Sequence, residues 1–446
     1  MATIKKICAI KTEDGNPVRC EEAWKDSDGN LLTSKATKVS TTEEDTIFVN
    51  DGHGNLKDSG KSIRNIMAYV NGGIEFSGTA SKGTLVGDFE GLTQAQLMRH
   101  WPFSALYIED VDSYSSDGTA LGVKDSFLVM PNMWRKAIHS EDGSSTFMIA
   151  NYQVDETYTL AYPSSDFKEL CLAVYFASLG TDIKLHSVAG ASPKVGINQA
   201  TLIADMPYYK RGEGVRRAEY LDYRVMALYQ ILSVIYLGTR NTQSVYRGIC
   251  DYKWSKGSVE DITDEPSKLT GVTELGTSVG FMAHKVVSGE ITGTSFTESL
   301  ASGKRPFKLL GVENPYGFLW QNMYGLVYID GEAYAYNGVG TPSASELVPG
   351  SDGNCYTDTG ILCAQSNGRQ KAFADASGYP VPISVGASAS TSVGDRVYLD
   401  VPGGTYITAI GGRCDNGSFD GLFCLSWRDA FNTSFVGVGA RLSFER

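Results

Sequence analysis

Arg413, Asp415, Phe419, Asp420, Ser426, Trp427, Arg428, Asp429, Phe431 and Phe435 crowd two guanidiniums, three carboxylates, four aromatic rings and a hydroxyl into one short stretch of the chain. Their spacing follows neither a helical nor a strand period. The chemistry they offer is recognition: aromatic and arginine side chains supply contact energy, while carboxylates and hydroxyls supply fit. On composition alone an ordinary solvent-exposed loop is favoured over a binding surface. Acid-base and metal chemistry have no comparable concentration. The histidines stand singly at His53, His100, His139, His186 and His284, so spacing assembles no catalytic grouping around any of them. The cysteines, at Cys8, Cys20, Cys171, Cys250, Cys355, Cys363, Cys414 and Cys424, form no CxxC pair and lie near no histidine at metal-ligand spacing. No phosphate-cradling GxxxxGK[ST] is present.

The elements that must hold this stretch are legible around it. Glycines interrupt it at Gly411, Gly412, Gly417 and Gly421, with small apolar residues between them. At its end Val436, Val438, Ala440, Leu442 and Phe444 fall on every second position, which predicts one closing strand with a buried face. Phe423 and Leu425 alternate in the same way, and Trp427 either continues that alternation inward or turns out as an aromatic anchor. Upstream, Leu221, Val225, Leu228, Leu232 and Ile235 recur at three- and four-residue steps, predicting a long core helix within Val215 to Asn241, with Gly238 as its left-handed cap. The segments Asp125 to Ala137, Ser145 to Val154 and Leu170 to Gly180 read as buried strands of one sheet. Asp330-Gly331, between LVYI and AYAY, reads as a hairpin turn. Further strands are expected at Arg396 to Leu399 and Tyr406 to Ile410.

The whole composition bounds the class. At 446 residues there is room for about three average domains, or two with large insertions. With 42% hydrophobic and 20% charged residues the chain can pack a core and carries no mark of global disorder. Its 49 glycines and 24 tyrosines, with few long helical tracts, point to a β-rich, turn-rich protein. A net charge of -12 and the lack of a Lys/Arg block argue against a nucleic-acid partner. The apolar run Ile7 to Ile10 is too short for a signal peptide, and the run around Met226 to Leu237 falls short of the roughly 20 residues that span a bilayer. The expectation is a soluble protein without membrane insertion, made in the cytoplasm, whose cysteines are free and mostly packed.

Three stretches carry resemblances. VNDGHGNLKDSGKSI, Val49 to Ile63, lies between short strands TIFV and IMAYV and resembles a recurring turn element of phage tail-fibre and receptor-binding proteins. GVENPYGFLWQNMYGLVYIDG, Gly311 to Gly331, is similar to a segment of C-type-lectin-fold proteins related to the formylglycine-generating-enzyme family. The terminal GG, mixed stretch and GVGARLSF resemble the variable region of proteins diversified by retroelements, many of them phage tail receptor-binding proteins.

The resemblance implies an α+β, β-rich chain. Residues 1–95 would be an N-terminal β attachment and trimerisation module, and residues 96–446 a C-type-lectin-like ligand-binding domain with one long core helix and a variable region at 411–446. It further implies that Gly411, Gly412, Gly417, Gly421, Leu422, Phe423, Leu425, Gly439, Arg441 and Leu442 are scaffold. The diversified ligand-binding positions would be Arg413, Cys414, Asp415, Phe419, Asp420, Cys424, Ser426, Trp427, Arg428, Asp429, Phe431 and Phe435. The implied function is non-covalent adhesion of a virion tail to a host surface protein or glycan, by a homotrimer joined to other tail proteins through its N-terminus.

No catalytic residue, cofactor or metal is expected. Glu313-Asn314-Pro315 has the residue types of a calcium-lectin sugar site in the wrong order, and no WND triplet accompanies it. The alternatives are a catalytic relative and a purely structural virion protein. A catalytic relative would be either an oxidase using Cys414 and Cys424 or a glycan-cleaving tail protein using paired carboxylates.

Overall fold

The structure is a computed structural model. It describes residues 69–164, 166–245, 307–338, 355–399, 403–434 and 436–446, together with short strands at Lys11–Glu13, Asn16–Val18, Thr46–Asn50, Leu56–Ser62, Thr277–Val279, Met282–Lys285 and Ile291–Thr294. The chain divides into two units, Met1–Val70 and Asn71–Arg446. In the first unit Thr46–Asn50 pairs antiparallel with Leu56–Ser62. The expected turn at 51–55 and residues 66–68 of the expected second strand lie outside the described residues. The strand that pairs with Thr46–Asn50 begins earlier than the IMAYV run.

The unit boundary falls after Val70 rather than at 95. Asn71–Phe76 is the reason: it is hydrogen-bonded between Ser145–Ala150 on one side and Thr84–Gly87 on the other, so residues 71–95 belong to the larger unit. That unit is β-rich with few helices. The strands expected in one sheet are divided between two. Ser145–Ala150 lies in a five-stranded antiparallel sheet with Trp134–His139 and Asn71–Phe76. Ala120–Pro131 and Glu169–Ala173 pair with each other in a second sheet. A third sheet runs in the order Tyr356–Leu362, Glu332–Tyr336, Trp320–Ile329, Thr405–Ile410, Leu425–Trp427, Arg396–Leu399, Gly368–Ala376, Tyr379–Val385.

The helix Tyr223–Leu237 packs against strands of all three sheets, and Tyr223 through Tyr236 are all buried. A helix that is apolar all round belongs inside a core rather than on a surface. It starts later than the periodicity implies because Gly214–Arg217 pairs as a strand with Tyr208–Arg211. The Asp222 carboxylate then accepts from the Arg224 amide at 2.7 Å and caps the first turn. Gly238 closes the helix with φ 65°, as its position predicts. Asp330 and Gly331, at φ 48° and 103°, form the expected hairpin turn between Trp320–Ile329 and Glu332–Tyr336.

The closing strand is two strands. Val438–Gly439 runs parallel to Trp320–Ile329 in the third sheet, whereas Leu442–Glu445 lies between Glu169–Ala173 and Glu219–Tyr220 in the second. Arg441 sits at the crossing, 1% exposed. Its guanidinium donates to the Gln321 side chain at 2.8 Å and to the carbonyls of Ala173, Val174, Glu313 and Asn314 at 2.8–3.3 Å, with Phe176 against its face at 4.6 Å. Burial draws its pKa down to about 10, partly offset by Tyr229 and Glu313. The Gly311 to Gly331 segment and the terminal stretch are thereby hydrogen-bonded to each other. The amide of Gly317 donates to Gly411 and that of Cys414 to Phe318, at 2.8 and 3.1 Å.

Candidate binding surface

Arg396–Leu399 is the strand on which the surface is built. Val397 and Leu399 point into the core while Arg396 and Tyr398, the alternate positions, are half-buried. Its antiparallel neighbour places Arg369 opposite Arg396, and its parallel neighbour Leu425–Trp427 places Ser426 beside Tyr398, with Arg428 two residues on. The loop between Thr405–Ile410 and Leu425–Trp427 then brings up Phe419 at the end of a single 3-10 turn, Gly417–Phe419.

These side chains interlock. The Arg369 and Arg396 guanidiniums lie 4.4 and 5.1 Å from the centre of the Phe419 ring. Arg396 and Arg428 lie 4.8 and 5.1 Å from that of Tyr398. Trp320 meets Tyr398 edge-on at 5.5 Å. Arg369 also donates to the Ser418 carbonyl at 2.7 Å, to the Ser418 hydroxyl at 2.9 Å and to the Gly394 carbonyl, which fixes its guanidinium over Phe419. Each cation over a ring is worth about 0.5–2 kcal/mol, more as water is excluded. The result is three oriented guanidiniums on an aromatic base. At its edge Arg413 is paired with Asp415 at 2.6 and 2.8 Å.

Beneath this layer the carboxylates are buried. Asp395 and Asp420 are both 0% exposed. Burial drives each carboxyl well above the usual range. For Asp395 the Phe423 amide and Arg369 work against this, and for Asp420 a hydrogen bond with Asn416 does so while Asp395 adds to the rise. Asp395 Oδ1 and Asp420 Oδ2 have no hydrogen-bond partner, and burial disfavours the charged form of both carboxyls. Two glycines make room for them. A Cβ on Gly412 would stand 1.8 Å from Asp420 Oδ1, and one on Gly421 would stand 2.2 Å from Asp395 Oδ1. Gly412 in addition has φ 76°.

Of the residues expected to face a ligand, Arg428 and Asp415 are exposed, and Arg413, Phe419, Asp429 and Phe431 are half-buried. Phe431 packs against the main apolar cluster rather than beside Phe419. Cys414, Asp420, Cys424, Ser426 and Trp427 are buried, and the expectation that they face outward is corrected. Cys414 packs with Phe176, Phe318 and Leu319. Cys424 lies against Asp420, its thiol donating to Oδ1 at 3.7 Å. Ser426 is covered in the row beside Tyr398. Trp427 continues the Phe423, Leu425 alternation inward, lies 5.1 Å from Tyr328, and donates its indole N–H to Thr408 at 3.0 Å. Phe435 lies outside the described residues.

Trp320, Arg369, Arg396 and Tyr398 escaped the sequence reading. The alternation of Arg396 and Tyr398 within the strand R-V-Y-L was the available signal, since alternate positions share a face. A second grouping was also missed. His186 is buried between Asp182 and Asp125, 3.0 and 3.1 Å away, and Asp125 also accepts from the Tyr209 hydroxyl and the Ser187 amide. Burial alone would lower the histidine pKa, but the two carboxylates outweigh it and raise it. At 2% exposure the imidazole is a structural clamp between the second sheet and the separate strand pair Ser178–Leu179 and Leu185–His186.

Cys171, Cys355, Cys363, Cys414 and Cys424 are free thiols, all but Cys355 buried. Burial, followed by Asp415, pushes the Cys414 thiol up to about 12. Burial, followed by Asp420 and Asp395, raises that of Cys424 well above its ordinary value. Among the described residues no group of three or more His, Cys, Asp or Glu side chains is arranged to hold a metal ion. No described helix is long and apolar enough to cross a membrane.

No protein-family model and no curated protein matches the chain. Among solved structures, one titled "Major Tropism Determinant P3c Variant" matches at 14% identity, covering 83% of this chain and 82% of that one, with a TM-score of 0.24. A score that low carries no weight for fold or function.

Proposed function

We propose that this chain is a non-enzymatic adhesin, a phage or prophage tail receptor-binding protein that holds a host surface molecule through the face built on Arg396–Leu399. The observation that carries this reading is the Phe419 ring fixed between Arg369 and Arg396, next to Tyr398 under Arg396 and Arg428. Aromatic and arginine side chains that are already oriented lose little freedom on binding and are the residue types that dominate interface energies. The sequence resemblances supply the setting: a virion location, a C-type-lectin-like larger domain, an N-terminal attachment module, which the unit boundary would limit to residues 1–70, and a homotrimer whose avidity multiplies a modest single-site affinity.

The test is adsorption. Fluorescently labelled chain is titrated onto a panel of bacterial strains, and the strain that retains it is rechallenged with the Phe419→Ala, Arg428→Ala variant. Loss of retention with an unchanged circular dichroism spectrum is the expected result. Full retention by the folded variant would remove this face from the function.

A further inference from the structure

The chain as a whole is acidic, with a net charge of -12, yet its aromatic face concentrates positive charge. Arg413 is neutralised by Asp415, while Arg369, Arg396 and Arg428 lie against rings instead of carboxylates. Asp395 and Asp420 are buried beneath, and Asp429, next to Arg428 in the chain, is half-buried. Arg396 also keeps a buried Nε with no hydrogen-bond acceptor.

The ring faces argue about the ligand as well. A neutral sugar is gripped by stacking on a bare aromatic face, but a guanidinium covers Phe419 and Tyr398 from two arginines each. What the surface offers outward is guanidinium. Because neighbouring guanidiniums share a ring, none is more than about 10 Å from the next. Along an extended peptide, side chains of one face recur every ~6.6 Å, so carboxylates at alternate residues fall within that reach. Each carboxylate can be taken by a guanidinium fork.

Resting on the adhesin reading above and naming its ligand class, we propose that this face docks an extended acidic segment of a surface protein, with carboxylates at alternate positions engaging Arg396 and Arg428, while Arg369, bonded to Ser418 and Gly394, holds Phe419 in place beneath them. Such contacts gain from complementary charge and weaken as salt screens them.

Binding of the full chain to immobilised poly-L-glutamate, measured by biolayer interferometry at about 50 mM and about 300 mM sodium chloride, tests this. Poly-L-lysine, alginate and neutral dextran serve as comparison surfaces. Saturable binding to poly-L-glutamate that weakens at least tenfold at the higher salt is expected, with no binding to dextran or poly-L-lysine. The Arg396→Gln, Arg428→Gln variant should lose at least tenfold at the lower salt. Arg428→Gln alone, at an exposed position that leaves the fold intact, should lose severalfold. Arg428→Lys should recover part of that loss. Equal affinity in the double variant, no saturable binding to poly-L-glutamate, or stronger binding to alginate would each overturn the proposal. Bacterial adsorption lost in the double variant without any poly-L-glutamate binding would leave the adhesin reading standing and remove only the acidic-peptide ligand.

Discussion

Replacing Trp427 separates an outward aromatic anchor from an inward core residue. The ring is 0% exposed, tilted against Tyr328 and hydrogen-bonded through its indole N–H to Thr408. Truncating a buried Trp to Ala costs about 3–5 kcal/mol in lost burial and cavity. Losing the indole donor adds about 1 kcal/mol. The Thr408 hydroxyl keeps its own bond to the Leu326 carbonyl at 2.7 Å, so it is not left wholly unpaired. Trp427→Ala should therefore lose roughly 4–6 kcal/mol, which at the ~2 °C per kcal/mol expected of a large domain lowers the melting temperature by roughly 10 °C. Trp427→Phe, which keeps a ring against Tyr328, should lose about half as much. Thermal melts followed by circular dichroism at one scan rate give the comparison, with Arg428→Ala alongside as the neighbouring exposed substitution. That variant should melt within about 1 °C of the parent while losing bacterial adsorption. A Trp427→Ala protein that melts with the parent yet no longer adsorbs would refute the inward assignment.

Two further outcomes follow from the buried groups. Gly412→Ala should destabilise the chain by more than about 2 kcal/mol, because the new methyl meets Asp420 and φ is left-handed. Adding Asp420→Gly in the same chain should recover part of the loss in a thermal melt, and failure to recover any would show that the backbone alone is responsible. Glu219, whose carboxylate oxygens have no hydrogen-bond partner, is raised well above the usual carboxyl range by burial and then by Glu445 and Asp222. Below the unfolded pKa of about 4.3 both states are protonated. As pH climbs from there towards the folded value, the unfolded chain releases a proton that the folded one keeps, and stability falls by at most about 1.4 kcal/mol per unit. Glu219→Gln removes this slope, so its melting temperature relative to the parent should rise as pH climbs above about 4.3. Parallel curves would show Glu219 to be ionised in the fold.

Local signals carried what local physics decides. Gly238 and Asp330-Gly331 were legible because a left-handed φ is costly for most residues. The same period of two that marks Phe423 and Leu425 as inward also marks Trp427. The start of the helix was not legible, since apolar residues ahead of Asp222 fit a strand and a helix equally until pairing with Tyr208–Arg211 decides. The surface itself was half legible. Phe419 and Arg428 stand in the stretch first singled out, but Trp320, Arg369, Arg396 and Tyr398 come from separate strands that meet only through the third sheet. No window of sequence contains them together. The burial of Asp395 and Asp420 was equally hidden, because carboxylates are mostly exposed and only the contacts with Gly412 and Gly421 reveal the space made for them.

Leu442–Glu445 lies inside the second sheet, and Arg441 is wired to three distant segments, yet both are translated after the loops that build the surface. Any change in those loops is therefore read through the genetic code before the core can close. A single-base insertion or deletion between codons 413 and 436 would replace Arg441 and an interior strand with unrelated sequence, whereas a base substitution there alters one side chain and leaves the frame, and with it the core, intact. The architecture thus accepts variation at its surface by exchange of letters and rejects variation by change of phase.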